Sequence, residues 1–352
     1  MFMSLSSRGA VRRAGSVLAL GLVVAGAGLA ARPGPALAAA PIGPGHIMTH
    51  ARAGVVPRRD QVSSDPTGPG PLFYQGGAGG YGVTIGRPRV YLVFWGSQWG
   101  TRSADAAGRT VLSGDPSGAA PFLQRFFAGL GGGGETWSGV MTQYCQGVPA
   151  GATNCYGPPG QVVQHVGYPT GGALAGVWVD SSAPAPAQAT GDQIGAEAVA
   201  AAQHFGLTTP AANRSVQYDV LSPTGTSPGG FPNGFCAWHS SASSAYGDIA
   251  FTNMPYLTDV DVCGTNSVNA GSAGTLDGFS IVNGHEYAET ITDQVPGNGW
   301  YGSAGEAGDP CAWLGTGGGR IQDITLTTGT FAVQGIWSNS ANGCEISHPI
   351  LT

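Results

Sequence analysis

Arg89-Val90-Tyr91-Leu92-Val93-Phe94-Trp95 is an almost unbroken apolar and aromatic run closed by Gly96, the pattern of a strand covered on both faces and central in its sheet. Downstream, Phe122, Leu123, Phe126, Phe127 and Leu130 recur at three- and four-residue spacing after Asp115-Pro116-Ser117 and stop at Gly131, which predicts an amphipathic helix. Residues 175–179 read as a second strand. Thr190-Gly191-Asp192-Gln193 has the capping-box form, because Thr can accept the backbone N–H three residues on while Gln reaches back. The helix it opens buries Ile194, Ala198, Ala201, Ala202 and Phe205 and ends at Gly206. Residues 216–221 and 248–252 read as further strands, and 230–244, with Cys236 and His239, as a polar loop between them. Over 275–293, Phe279, Val282, Ala288 and Ile291 keep roughly helical spacing until Pro296-Gly297, and 321–337 alternates as an antiparallel hairpin does. These elements predict one α/β (α+β) domain over 72–352: a mixed sheet with packed helices and a C-terminal β-hairpin.

The ends and the composition set the location. Arg8, Arg12 and Arg13 precede an apolar run over 14–31 and then Pro35-Ala36-Leu37-Ala38-Ala39-Ala40, the order of a signal peptide over 1–40, cleaved after Ala38 or Ala40. Gly21, Gly26 and Gly28 weaken the run as a membrane anchor. Residues 41–71, rich in Pro and Gly and carrying the basic pair Arg58-Arg59, read as a flexible leader. The chain has 14 Arg, no Lys and 20 acidic residues, and four of the Arg lie before residue 41. A mature charge so negative excludes nucleic acid, which is held chiefly by Lys and Arg. An even set of six cysteines in an exported chain implies disulfides. Of the fifteen pairings open on paper, joining neighbours in order closes the shorter loops: Cys145–Cys155, Cys236–Cys263 and Cys311–Cys344.

The third helix carries the chemistry. His285-Glu286-Tyr287-Ala288-Glu289 sets an imidazole and a carboxylate four residues apart on one helix face, where both can grip one metal ion. In the H-E-x-x-H pattern of zinc peptidases the end residues are ligands, and the Glu after the first His takes a proton from the attacking water. Here Glu289 replaces the second His. An anionic ligand weakens the pull of zinc on water, but carboxylates are accepted zinc ligands. A His with two Glu is also what a solvated helix face shows. Downstream, Glu306-Ala307-Gly308-Asp309-Pro310-Cys311 supplies Glu306 as a further ligand and Asp309 to orient a ligand or replace Glu306. The expectation is zinc, or another divalent cation, held by His285, Glu289, Glu306 and Asp309, with Glu286 as the catalytic base. Tyr301, His348 and His239 are helpers for the developing oxyanion or the leaving group, His348 being brought near by a Cys311–Cys344 bridge. Gly225-Thr226-Ser227-Pro228-Gly229 matches a serine-nucleophile elbow by letter only, since Pro228 lacks the N–H an oxyanion hole needs. The order of elements looks like the zincin arrangement, with an active-site helix and the strand at 248–252 bordering the substrate cleft.

Residues 90–96, Gly234-Phe235-Cys236-Ala237-Trp238-His239, Gly284-His285-Glu286-Tyr287-Ala288-Glu289, Trp300-Tyr301, residues 306–311, Gly317-Gly318-Gly319 and Val333-Gln334 with Trp337 resemble, in that order, the Exordium or phosphate-induced proteins of plant cell walls and their bacterial relatives. The likeness covers most of the chain after Tyr74 and is patchy over 101–226. Tyr287 stands where the plant proteins usually have Leu, and their longer acidic insert before Glu306 is missing. The resemblance implies an extracellular protein, linked in plants to growth control in the wall, and no settled reaction. Two functions are therefore open. One is a secreted metal-dependent hydrolase, peptidase- or amidase-like, acting as a monomer on an extracellular peptide or cell-wall substrate. The other is a non-catalytic cell-wall or polysaccharide-binding protein with a structural metal site, whose rings, such as Trp99, Trp137, Trp238 and Trp300, stack on sugars. In both, no integral membrane segment remains after signal cleavage.

Overall fold

In the computed structural model, which describes residues 53–62 and 70–352, the strands β1 (Ala53–Pro57), β2 (Arg89–Trp95), β3 (Leu174–Asp180), β4 (Val216–Leu221), β5 (Phe235–Ser244) and β6 (Gly247–Met254) form one sheet in the order β1-β5-β6-β4-β2-β3. β3, β2, β4 and β6 are parallel; β5 is antiparallel to β6, and β1 to β5. The sheet is therefore mixed, and the α+β class expected from the sequence is what the chain adopts. The helices are α1 (Ala119–Gly129), α2 (Gly191–His204), the short α3 (Pro210–Asn213) and α4 (Asp277–Thr292). The expected signal peptide and its cleavage point lie outside the described residues. Among the described residues no helix is long and apolar enough to cross a membrane.

β2 is apolar on both sides because both sides are covered. On one face Tyr91 stacks on Tyr218 and meets Phe205 at the end of α2; on the other Phe94 packs on Trp99, Trp99 on Tyr256, and Tyr256 on Phe279 of α4. The Thr190 capping box is formed, with Thr190 Oγ1 accepting from the Gln193 N–H and Gln193 Oε1 from the Thr190 N–H. α4 is buried along its whole length. Its outer side is covered by α1, where Phe127 meets Tyr287, and by a hairpin of β7 (Gln322–Leu326) and β8 (Gly329–Val333), whose Ala332 carbonyl accepts from Ser280. Cys145–Cys155, Cys236–Cys263 and Cys311–Cys344 are all bridged.

Three expectations fail. Residues 230–244 are not a polar loop: 235–244 is β5, an inner strand buried from Phe235 to Ala242. Its Ser and Ala side chains are short enough to pack under helices on both faces, so no apolar alternation marks it. β1 forms the sheet edge beside β5, and the 248–252 segment lies in β6, one strand further in. The flexible leader does not extend unbroken to 71, because Ala53–Pro57 is β1, with Val56 inaccessible to solvent. Four residues such as Gly-Val-Val-Pro are too few to show a period, and their structure comes from the edge of β5. Finally, Trp337 belongs to a separate pairing of Ile336–Ser338 with Gly343–Glu345, and only 322–333 is the hairpin.

Glu197 on α2 provides a test of this packing. It is 7% exposed, and burial, with the charge of Asp180 beside it, pushes its carboxyl up to about 8. In an unfolded chain it ionises near pH 4.5. The folded state thus holds an extra proton between these values, and stability falls as pH rises through that window. Glu197→Gln is expected to be more stable than the parent above pH ~8 by roughly 2–4 kcal/mol, and nearly equal to it below pH ~4.5. Urea titrations at both ends of the window would measure the gap; a gap independent of pH would refute the assignment.

Candidate metal centre

Two elements and a loop meet over the inner face of β5. Residues 285 and 289 lie four positions apart and so share a side of α4, and Asp293 follows at its C-terminal cap. In the strand, Trp238 points toward α2, its ring near Gly191, and the next residue, His239, points the other way toward α4. The loop 305–309 folds over both. His285 Nε2 is 2.9 Å from Glu289 Oε1 and 3.6 Å from Asp309 Oδ1, and His239 Nε2 is 3.7 Å from Glu289 Oε2 and 2.8 Å from Glu306 Oε2. Gly308 lets the loop come this close: its N–H donates to Glu289 Oε1 at 3.1 Å, and a Cβ there would stand 2.8 Å from the His285 ring. The Glu306 N–H donates to Asp309 Oδ2, which ties the two acids of the loop together.

The tautomer of His285 follows from its second contact. Gln334 Nε2 donates to the carbonyls of Gly308 and Gly335, so its Oε1 is left to accept from His285 Nδ1–H at 3.1 Å. Nε2 then faces Glu289 and Asp309, the nitrogen an imidazole oriented by a second contact turns to a proton or to a metal ion. Asp293 braces the other side. Its carboxyl takes N–H groups from Gly297, Asn298 and Gly299 and is hydrogen-bonded to Glu306.

His239, His285, Glu286, Glu289, Asp293 and Glu306 are all inaccessible to solvent, so the reading of this segment as a solvated helix face is wrong. Burial, added to by neighbouring negative charge, drives the carboxyls of Glu286, Glu306 and Asp293 well above the usual range and raises that of Glu289. Burial lowers the His239 imidazole. At His285 burial opposes the proton, but the charges of Glu289 and Asp309 outweigh it and the group rises. No Arg forms an ion pair with these acids among the described residues. Both oxygens of Glu286, Oε2 of Glu289 and Oε1 of Glu306 have no hydrogen-bond partner. Buried carboxylates without partners need protons or a cation.

A divalent cation fits this donor set. Two groups, His239 with Glu286 and Glu289, and His285 with Glu289 and Asp309, each bring ligand atoms within 4.8 Å of one another, and Glu289 belongs to both. Ligands about 2.05 Å from a tetrahedral ion lie about 3.3 Å apart, between the 2.9 and 3.7 Å separations found here. With all six cysteines in disulfides, the donors are nitrogen and oxygen alone.

Of the residues singled out in the sequence, His285, Glu286, Glu289, Glu306 and Asp309 converge. Tyr301 lies at the rim, 44% exposed, with its hydroxyl raised by burial and by the charges of Asp309, Glu306, Glu289 and Asp293. His348 does not join. Its ring contacts Ser340 Oγ and the Pro349 carbonyl, and its backbone N–H is held by Thr136, so the Cys311–Cys344 bridge does not carry it into the centre. His239, expected only as a helper, stands among the ligand atoms. Asp293 continues the four-residue series from His285 and was open to detection; Gln334, 49 positions from His285, was not. Compared with protein-family models, curated proteins and solved structures, the chain matches none.

Proposed function

We propose that the chain belongs to the metal-dependent hydrolases in which a carboxylate beside the ligands handles the proton of water. Within that class we infer a secreted, zincin-like peptidase or amidase that acts on extracellular peptide or cell-wall amide bonds. The observation that supports it most is the meeting of two imidazoles and several solvent-inaccessible carboxylates around Glu289, with no Arg paired to them among the described residues. A zinc ion bound there would supply Lewis acidity toward the substrate carbonyl and the attacking water. His285 and Glu289 of α4 with Asp309 of the loop would hold it and leave the fourth position to water, while His239 and Glu306 would stand beside it across Glu289.

Glu286 adjoins His285 in sequence and keeps both oxygens free of protein partners. Burial raises its affinity for a proton, which suits a base that takes a proton from water and returns it to the leaving amine. The Tyr301 hydroxyl, kept protonated, can donate to a carbonyl oxygen as negative charge develops on it. Three disulfides and the Exordium likeness support an extracellular setting. The four Trp rings that the polysaccharide-binding alternative would use, Trp99, Trp137, Trp238 and Trp300, are at most 1% exposed, and Tyr156, Tyr301 and Phe73 are the exposed rings left to it.

Elemental analysis after dialysis tests the reading. The wild type is expected to retain about one equivalent of zinc, and His285→Ala and His239→Ala at least about tenfold less. Equal metal in all three proteins would remove the centre from consideration.

A further inference from the structure

β1 lies directly over the ligand atoms. Its backbone pairs antiparallel with β5, Ala53 opposite His239, Val56 opposite Ala237 and Pro57 opposite Phe235, with register irregularities between these pairs. Gly54 has φ +52, and a Cβ there would overlap the Glu289 carboxylate and the His239 ring. Only a glycine lets main chain pass so close. Gly54 and Val56 are buried while Val55 between them is 37% exposed, and the Pro57 carbonyl accepts from Trp313 Nε1 at 2.7 Å. Main-chain pairing to an edge with alternate side chains buried is how an extended peptide is held by strand addition. Immediately after the strand, Arg58 and Arg59 reach the surface, Arg58 pairing with the half-exposed Asp60.

We propose that β1 is an intramolecular occupant of the peptide groove along β5, and that Arg58-Arg59 is a processing site whose cleavage uncovers the centre. An arginine-directed endopeptidase would hydrolyse the Arg58–Arg59 or Arg59–Asp60 bond. One water is consumed, a carboxylate is left on the fragment, and a new amino terminus is left on the body. While tethered, β1 competes at the high effective concentration of a short linkage; once cut, it must bind as a separate molecule and dilution releases it. An extended peptide then takes its place on β5, with an aliphatic side chain where Val56 was. The nature of that peptide substrate rests on the hydrolase reading; the masking rests on the position of β1 alone.

The test uses the secreted full chain and an Arg58→Gln/Arg59→Gln double variant, each loaded with zinc and treated briefly with trypsin. The wild type is expected to be cut first at this pair and to shed the fragment ending at Arg58 or Arg59 on size-exclusion chromatography. A chelator should then strip its zinc at least about tenfold faster than from the uncut chain, and excess synthetic peptide spanning 53–58 should slow the stripping again. The double variant should show neither change. Failure to cut at the pair, or a fragment that stays bound through dilution with unchanged stripping, overturns the proposal and makes β1 a permanent strand. Release with faster stripping but no turnover of any peptide sinks the hydrolase reading and leaves the masking intact. Should neither form bind zinc, amide hydrogen exchange along the edge of β5 that pairs with β1 decides, since release of β1 frees that edge and must accelerate its exchange.

Discussion

Glu286→Gln is expected to leave zinc content unchanged while lowering turnover of a peptide or amide substrate by roughly 10²–10⁴-fold, the usual contribution of a positioned acid–base group. The substitution keeps the shape of the side chain and removes only its capacity to carry a proton. No hydrogen bond is lost, because neither Glu286 oxygen has a partner. The variant should fold at least as well as the parent, since a neutral amide lacks the penalty that burial places on a carboxylate at this position. Metal analysis, a melting curve and single-turnover kinetics on one preparation separate the outcomes. Full turnover with full metal would strip Glu286 of its role; lost metal would make it a ligand, as its place beside His239 and Glu289 allows.

Removing the metal is expected to lower stability at neutral pH by about 4 kcal/mol where free metal had stood near 1,000 times its Kd, and to make the remaining stability fall as pH rises. The sign follows from the acids. In the metal-free protein Glu286, Glu289, Asp293 and Glu306 hold their protons above the pH at which an unfolded chain releases them. The folded state thus binds more protons from about pH 4 upward, and each unit of further pH costs stability. His285, raised by Glu289 and Asp309, acts in the same direction: its contribution is present below the unfolded imidazole value and lost as pH climbs through the folded one. His239, lowered by burial, opposes this weakly on the acid side. Denaturation of chelated protein at pH 5, 7 and 9, beside zinc-loaded protein, measures the slope. A metal-free protein equally stable at all three would mean that the acids are not held as the structure has them.

Local patterns carried much of this in the sequence. A run such as 90–95 is apolar throughout because both faces of its strand are covered, and the spacing of His285 and Glu289 needs only the period of a helix to place them together. The capping box at Thr190 and the stripe in α1 are local in the same sense. β5 was hidden because the Ser and Ala that fill much of Phe235–Ser244 pack on both sides without alternating, and with it went the role of His239. β1 was hidden because its structure is borrowed from β5.

By itself, the order of residues determined the class of fold, the helix that presents His285, Glu286 and Glu289, and the acids of 306–309 as their candidate companions, since each depends on periodicity or on neighbours a few positions away. Tertiary structure alone decided that this helix is buried and not solvated, that His239 meets Glu289 and Glu306 and Gln334 meets His285, that His348 stays outside, and that Gly54 lies against the cluster. Those contacts join segments tens to hundreds of residues apart. Their partners are set by how sheet, helix and loop pack in space, which no short-range pattern encodes.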